Sequence, residues 1–133
     1  ITAVDINAKF FQDLAEISVQ EKLNLNVFKH DIGEANIKDT YDFIFATDVF
    51  MYLNPTRIQS IISNIKKQTN DNGYNLIVSA LNATKYGCPF TPFPFTFMDG
   101  ELREYYEDWE IIKYEENITT SPYPYTVLLA QKK

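Results

Sequence analysis

The sequence predicts an α/β fold with an open, mostly parallel sheet that ends in an antiparallel hairpin. Two observations carry this prediction. Apolar, β-branched segments alternate with amphipathic helical segments from Ile1 to Ala80, and two further strand-like segments close the chain. Crossovers that contain a helix make neighbouring strands parallel, whereas a late strand pair with a short connection can form a hairpin at one sheet edge.

The first element is an apolar strand that ends in a carboxylate, Ile1 to Asp5. Asn7 then caps a helix, because its side chain can accept a hydrogen bond from a free backbone N–H of the first turn. Apolar residues recur along this helix at helical spacing, at Phe10, Phe11, Leu14 and Ile17. We expect the helix to cover one face of the sheet.

The next two predicted strands are also followed by polar residues at their carboxyl ends. Leu25 to Lys29 alternates like a strand and leads to Asp31. Tyr41 to Ala46 is nearly all apolar, which is typical of a central parallel strand buried on both faces, and it leads to Thr47 and Asp48. The polar side chains are therefore predicted to gather at one rim of the sheet.

A second helix is predicted to begin at Asn54-Pro55, since Asn is a favourable cap and proline is tolerated at the first helical position. An isoleucine stripe follows at Ile58, Ile61, Ile62 and Ile65. The polar stretch from Asn70 to Gly73 is expected to end this helix, and Tyr74 to Ala80 is expected to form the next strand.

The remainder of the chain has a different character. Cys88 to Phe97 places phenylalanines among three prolines, which prevent a central strand and predict a shaped aromatic loop. The alternative, that these rings fill a small core of their own, is equally open. Asp99 to Tyr106 is predicted to form a short helix, and the segments 109–114 and 125–130 are predicted to form the closing hairpin.

Composition limits the class of protein and its partners. The 133 residues suffice for one domain spanning 1–133, and the net charge of −6 disfavours nucleic acid, which binds through clustered Lys and Arg. The single cysteine, Cys88, cannot form an internal disulfide, so a cytoplasmic location is expected. The longest apolar run is too short to span a bilayer, and neither a membrane partner nor a metal site is predicted.

The carboxylate of Asp5 suggests a nucleotide site, because an acidic residue at such a strand tip can accept hydrogen bonds from ribose hydroxyls. Taken alone, an Asp in this position is more often a turn or helix-entry residue. A dinucleotide-type site also needs a glycine-rich turn about 20 residues upstream, and the chain opens on Ile1 without one. We therefore expect that the chain is truncated at its amino end.

Several segments together resemble a known family. They are 3–7, 31–32, 41–44, 49–54, 73–78 and 94–97, and they resemble the TehB-type tellurite-resistance methyltransferases, a family of the class I S-adenosylmethionine-dependent group. The resemblance covers nearly the whole chain. It implies a Rossmann-like sheet with a terminal antiparallel hairpin, S-adenosylmethionine as cofactor and S-adenosylhomocysteine as product. It also implies methyl transfer to a small molecule, with a tellurium or selenium oxyanion as one candidate acceptor.

Carried over residue by residue, the resemblance implies two groups of site residues. Around the adenosine, Asp5 would bind the ribose with Ile6 beside the adenine, and Asp31 would accept from the adenine amino group with Ile32 on the ring. Thr47 and Val49 would flank the methionine part of the cofactor. Phe90, Phe93 and Phe95 are candidates for the substrate channel, and no catalytic residue is assigned. For Asp31, Thr47 and Asp48, a purely structural role at a strand end or turn is the alternative.

The sequence departs from the family pattern in two places. The first strand and its glycine-rich loop are absent, and the family's polar loop with His and Arg residues is replaced by the shorter stretch Ile118 to Tyr125. An oxyanion therefore lacks an evident bidentate clamp. In the class I order the absent strand lies between the strands ending at Asp5 and Thr47, so we expect two unpaired sheet edges and self-association through them.

The functional hypotheses follow from these matches and departures. The first is a methyltransferase that acts on a small acceptor beneath the aromatic loop. The second, from the binding class, is a noncatalytic remnant that holds an adenosyl group weakly or not at all. A receiver or flavodoxin-type module is disfavoured, because such modules lack the late hairpin and need an acidic pair or a phosphate-binding loop at the first strand.

Overall fold

The computed structural model describes residues 1–82, 84, 92–118 and 123–133. These residues group into two compact units, Ile1–Glu34 and Ala35–Lys133. Each unit contains its own sheet, and together the described strands number six. The prediction of one domain over residues 1–133 stays a prediction.

The first unit is a small parallel βαβ motif. Strand β1 (Thr2–Asp5) is followed by a 3-10 turn (Ala8–Phe10), helix α1 (Phe11–Gln20), strand β2 (Asn26–Lys29) and a second 3-10 turn (Ile32–Glu34). β1 and β2 pair in parallel. Asn7 caps the first turn as predicted, since its side-chain Oδ1 accepts a hydrogen bond from Lys9 N at 3.0 Å.

Helix α1 covers its sheet less completely than its apolar spacing suggested. It lies against β2, but it contains no fully buried residue. Phe11 and Leu14 are half-buried, whereas Ile17 is 46% exposed. The expected apolar face is therefore only partly used, because a two-stranded sheet offers little area to a ten-residue helix.

The second unit contains the larger sheet. In chain order it comprises β3 (Tyr41–Thr47), two 3-10 turns (Phe50–Tyr52 and Pro55–Arg57), α2 (Ile58–Gln68), β4 (Thr69–Ala80), α3 (Glu101–Glu104), β5 (Glu110–Ile118) and β6 (Tyr125–Gln131). The strand order is β3-β4-β6-β5, with β3 and β4 parallel and β6 antiparallel to both β4 and β5. The predicted closing hairpin is therefore confirmed.

Among the described strands, β1 and β3 each lie at the end of the sheet of their own unit. β1 has β2 as its neighbour, and β3 has β4. The sequence predicted that Tyr41 to Ala46 would form a central strand buried on both faces, but among the described strands β3 lies at the end of its sheet and only Ala46 of this segment is buried. On the β3 edge strand, Phe43 and Phe45 are 49% and 61% exposed and their rings stack at 5.9 Å.

The core of the second unit contains the predicted isoleucine stripe. All four isoleucines of α2 are at most 1% exposed, and the helix lies against β4. Complete burial of such a side chain contributes about 1.5–3 kcal/mol. Asn54 is a cap as predicted, because its Oδ1 accepts hydrogen bonds from the backbone N and the hydroxyl of Thr56 at 3.0 and 2.9 Å. It caps the 3-10 turn Pro55–Arg57, however, and the α-helix predicted to begin at Asn54-Pro55 begins at Ile58.

The stretch from Asn70 to Gly73 corrects the sequence-based boundary. It was expected to separate α2 from a strand beginning at Tyr74, but β4 begins at Thr69 and the stretch forms an irregularity within the strand. A Cβ on Gly73 would lie 2.8 Å from the backbone oxygens of Asn70 and Asp42, so only glycine allows this close approach. Asn72 adopts a positive φ of 63°.

The predicted helix from Asp99 to Tyr106 is shorter in the structure. α3 spans Glu101–Glu104, and Gly100 precedes it with a φ of 79° in the left-handed region. The segment after α3 nevertheless supplies core side chains, since Tyr106 is fully buried and Trp109 is 6% exposed. Their rings meet edge to face at 5.3 Å.

Candidate functional site

Asp5 and Asp31 lie at the carboxyl ends of two paired parallel strands. Asp5 stands opposite Lys29 in the ladder, and the backbone N–H of His30 donates to the Asp5 carbonyl oxygen at 3.1 Å. Asp31 follows directly. The structure therefore brings these two predicted site residues to the same rim of the first unit, as the parallel pairing required.

The two carboxylates are held in the same way. Oδ1 of Asp5 accepts a hydrogen bond from Asn7 N at 2.7 Å, and Oδ1 of Asp31 accepts one from Gly33 N at 2.8 Å. Each aspartate thus bonds the backbone two residues ahead, which fixes its side-chain orientation. Both side chains are exposed, so Oδ2 of each can accept hydrogen bonds from a ligand.

The neighbouring apolar residues are accessible to a planar ring. Ile6 is 60% exposed and Ile32 is half-buried. Between the two strand tips lies a residue that the sequence analysis did not select, His30, whose ring meets Phe28 edge to face at 6.3 Å. Its Nε2 is buried and has no hydrogen-bond partner in the described part of the chain. The only signal for His30 in the sequence is its position directly after the predicted strand and directly before Asp31.

Thr47 and Val49 lie at the carboxyl end of β3 in the second unit. Thr47 is the last strand residue and is exposed, and Val49 is half-buried and precedes the 3-10 turn Phe50–Tyr52. Between them, Asp48 adopts a positive φ of 59° and donates its N–H to the Val78 carbonyl at 3.0 Å. Asp tolerates this left-handed conformation better than most residues, at some cost in free energy.

The proline-rich aromatic segment is tied to the ends of β3 and β4. Phe95 N donates to the Met51 carbonyl at 3.3 Å, and Phe97 N donates to the Ala80 carbonyl at 3.1 Å. Of the three predicted channel residues, Phe93 and Phe95 are half-buried, and Phe90 lies outside the described residues.

The aromatic rings of this region separate into two groups. In the inner group, Phe97 contacts Phe95 at 4.8 Å and Phe50 at 5.7 Å, and both Phe97 and Phe50 are fully buried. In the outer group, Phe93 contacts Tyr52 at 5.7 Å and Tyr123 at 5.3 Å. Phe50 and Phe97 therefore belong to the core, whereas Phe95 and the outer group stay partly exposed.

A polar cluster lies beside this region, where β5 meets the start of α3. Glu116 Oε1 accepts hydrogen bonds from the Tyr114 hydroxyl and from Gly100 N, the latter at 2.6 Å. Burial, reinforced by the hydrogen bond to Glu116, raises the pKa of Tyr114 to about 12. The hydroxyl of Ser79 is buried and lacks a hydrogen-bond partner within the described residues.

Two further properties concern metals and membranes. Among residues 1–82, 84, 92–118 and 123–133, there is no group of three or more His, Cys, Asp or Glu side chains that could hold a metal ion. None of the helices in the same ranges has the length and apolar character needed to cross a bilayer.

Comparison with known proteins identifies close similarities. A family model described as tellurite resistance protein TehB matches residues 1–121. A probable S-adenosyl-L-methionine-dependent methyltransferase TehB from Haemophilus influenzae (strain ATCC 51907 / DSM 11121 / KW20 / Rd) is 48% identical over 118 residues, which are 89% of this chain and 41% of that protein. The chain thus spans less than half the length of this curated relative.

Solved structures show the same fold. The crystal structure of TehB from Haemophilus influenzae superposes with a TM-score of 0.90 at 42% identity, over 99% of this chain and 49% of that one. Magnesium protoporphyrin IX methyltransferase from Synechocystis PCC 6803, with bound S-adenosylhomocysteine, gives a TM-score of 0.75 at 16% identity, over 99% and 64% of the two chains. The predicted class I methyltransferase fold is therefore confirmed.

Proposed function

Since the chain belongs to the TehB tellurite-resistance family, we propose that it contributes to S-adenosylmethionine-dependent methyl transfer to a small molecule. The supporting observation is the pair of carboxylates at neighbouring strand tips, Asp5 and Asp31, each held through Oδ1 with Oδ2 left for a ligand. An adenosine offers the matching donors, two ribose hydroxyls and one amino group.

Each cofactor contact is assigned on this basis. Asp5 accepts hydrogen bonds from the ribose hydroxyls, and Asp31 accepts one from the adenine amino group. Exposed Ile6 and half-buried Ile32 provide apolar contacts to the adenine ring. For the methionine part of the cofactor we propose Thr47 and Val49, which follow the end of β3.

The chemistry requires little more than positioning. In methyl transfer from a sulfonium, the acceptor lone pair forms a bond to the methyl carbon as the S–CH₃ bond breaks, and the leaving thioether departs neutral. Correct alignment of the two reacting molecules supplies much of the acceleration in such displacements. A general base is needed only if the acceptor arrives protonated, and none is assigned.

A calorimetric titration of the protein with S-adenosylhomocysteine tests the proposal. Binding that requires Asp5 and Asp31 is the expected result. If the protein gives no heat at millimolar ligand, the methyltransferase proposal fails and the noncatalytic alternative is left.

The family description names tellurite resistance, and we propose a tellurium oxyanion, or a related selenium oxyanion, as one candidate acceptor for this chain. We also propose a cytoplasmic location, because a single cysteine indicates no disulfide framework. Nucleic acid is not proposed as a partner, since the net charge is −6.

We further propose that the isolated chain self-associates through β3. This strand is at the end of its sheet and exposes Phe43 and Phe45, and exposed apolar edge strands recruit other chains. Sedimentation velocity should show a dimer or larger species that Phe45→Lys reduces. A monomer at all accessible concentrations would contradict this proposal.

A further inference from the structure

Asp48 follows the carboxyl end of a parallel strand, as Asp5 and Asp31 do, but its carboxylate is held differently. Asp5 and Asp31 each accept a backbone N–H from two residues ahead through Oδ1. Within the described part of the chain, the Asp48 carboxylate takes part in no hydrogen bond and no ion pair, and the residue is exposed. Both of its oxygens are therefore available to a ligand.

Capping of the turn after β3 does not account for this carboxylate. The 3-10 turn Phe50–Tyr52 has Val49 as its N-cap, and the Asp48 side chain bonds none of the N–H groups that the structure describes there. Asp48 has a φ of 59°, but glycine and asparagine adopt the left-handed region as readily and carry no charge. The backbone conformation thus explains a small polar residue at this position, and the charge needs another reason.

The backbone fixes the position of Asp48 at the rim of the second unit. Its N–H donates to the Val78 carbonyl at 3.0 Å, directly after the pairing of Thr47 with Val78. The other non-glycine residues with positive φ lie after α1, after a 3-10 turn and within β4. Ligands of open α/β sheets bind outside the carboxyl ends of the parallel strands, and strained backbone is common where a ligand is held.

The neighbours of Asp48 indicate which ligand group it meets. Asp48 lies between Thr47 and Val49, the two residues proposed for the methionine part of the cofactor. That part carries three charged groups, an ammonium, a carboxylate and the sulfonium. A side-chain carboxylate repels the ligand carboxylate and attracts the two cations, and it forms charge-assisted hydrogen bonds only with the ammonium, which has N–H donors.

The course of the reaction also favours the ammonium over the sulfonium. The sulfonium loses its charge as the methyl group leaves, so a carboxylate beside it would stabilise the reactant more than the transition state. The ammonium keeps its charge throughout, so a contact there stabilises both states equally. Once paired with the ammonium, the Asp48 carboxylate is also neutralised, and it does not oppose an anionic acceptor.

We propose that Asp48 binds the ammonium group of the methionine part of S-adenosylmethionine. This inference rests on the proposed methyltransferase function, and it adds a cofactor-binding residue that the sequence analysis did not assign. Asp48 accepts hydrogen bonds from the ammonium, and it neither takes a proton nor forms a covalent bond. Its backbone bond to Val78 holds it in place before the ligand arrives.

Calorimetric titration of the protein with two ligands tests this assignment. S-adenosylhomocysteine contains the ammonium, whereas methylthioadenosine has the same adenosine and a thioether but no ammonium. Asp48→Asn should weaken S-adenosylhomocysteine binding about five- to tenfold and leave the affinity for methylthioadenosine unchanged. The substitution keeps the size of the side chain and suits the left-handed φ. The temperature of unfolding should therefore not fall.

Asp39→Asn, which also removes an exposed carboxylate, is the matched control and should change neither affinity. S-adenosylmethionine should lose as much affinity in Asp48→Asn as S-adenosylhomocysteine does, because both contain the ammonium. A larger loss for S-adenosylmethionine would place the carboxylate beside the sulfonium and overturn the proposal.

Two other results would overturn the proposal while the methyltransferase function stands. One is an unchanged affinity of Asp48→Asn for S-adenosylhomocysteine, and the other is an equal loss for methylthioadenosine. If the wild-type protein binds neither S-adenosylhomocysteine nor S-adenosylmethionine, the proposed function fails and the assignment of Asp48 fails with it.

Discussion

The backbone N–H of His30 donates a hydrogen bond to the carbonyl oxygen of Asp5 at 3.1 Å. This bond continues the parallel ladder one residue beyond β2 and aligns the end of that strand with the end of β1. Asp31 is the next residue, so the two carboxylates proposed for adenosine binding are positioned by backbone pairing rather than by flexible side chains.

Asp5→Asn should weaken S-adenosylhomocysteine binding by about ten- to hundredfold. The substitution keeps the size of the side chain but removes the charge that strengthens the hydrogen bonds from ribose hydroxyls, and such bonds contribute about 1.5–3 kcal/mol. Calorimetric titration of the protein and its variants measures the change. Asp13→Asn, an exposed carboxylate on α1, serves as the control. Equal losses in both variants would contradict the assignment of Asp5.

Asp31→Asn should reduce the preference for an adenosyl over an inosyl ligand. Wild-type protein is expected to favour S-adenosylhomocysteine over its inosine analogue by about tenfold, because the analogue lacks the amino donor. In the variant, the side-chain amide oxygen can still accept the hydrogen bond from Gly33 N. The amide NH₂ group then faces the adenine amino group, so two donors meet and the hydrogen bond to the adenine is lost. Competition binding with both ligands gives the ratio. Asp39→Asn is the control. If Asp31→Asn changes the ratio of the two affinities no more than the control does, Asp31 does not bind the adenine amino group.

Tyr106→Phe should lower the free energy of unfolding by about 1–3 kcal/mol. The buried Tyr106 hydroxyl donates to Asn75 Oδ1 at 3.0 Å, and Asn75 Nδ2 in turn donates to Thr69 Oγ1 at 2.7 Å. Removing the donor leaves a buried acceptor unsatisfied. Urea denaturation measures the loss. Tyr105→Phe is the neighbouring control, since its hydroxyl is only 3.4 Å from Glu101 Oε1 in a half-buried position, and it should cost under about 0.5 kcal/mol.

Gly73→Ala should destabilise the second unit by about 1–3 kcal/mol, because the new Cβ would press on two backbone oxygens that cannot rotate away. Gly100→Ala should cost about 1 kcal/mol for a different reason, the left-handed φ of 79°. Gly100→Asn should recover part of that loss, since Asn tolerates this conformation, whereas Gly73→Asn should be no better than Gly73→Ala. Thermal denaturation of the four variants distinguishes steric pressure from backbone strain.

Stability should fall as the pH rises from about 10 to 12. The pKa of Tyr114 is about 12 in the folded protein, above its ordinary value of 10.0. Above pH 10 the unfolded chain therefore releases a proton that the folded protein keeps, so ionisation favours unfolding. Tyr114→Phe should reduce this decline, and ultraviolet titration of the folded variant should lose a component near pH 12. A Tyr114 that ionises near pH 10 would contradict the prediction.

The sequence determined the elements that depend on local chemistry. The caps at Asn7 and Asn54, the isoleucine stripe of α2 and the order of strands ending in Asp5, Asp31 and Thr47 all follow from propensity and periodicity. The family resemblance and the terminal hairpin were also evident from the residues. These features need no knowledge of distant contacts, because neighbours along the chain decide them.

The tertiary structure decided what depends on residues far apart in the chain. The start of β4 at Thr69 follows from pairing with Tyr41, and the irregularity at Gly73 follows from the backbone of Asp42. The two phenylalanines of the proline-rich segment also differ in burial because they contact different residues. Phe97 packs against Phe50 in the core, whereas Phe93 contacts Tyr52 and Tyr123 and stays partly exposed. A sequence pattern contains the rings but not their partners, since the partners are brought together only when the sheet forms.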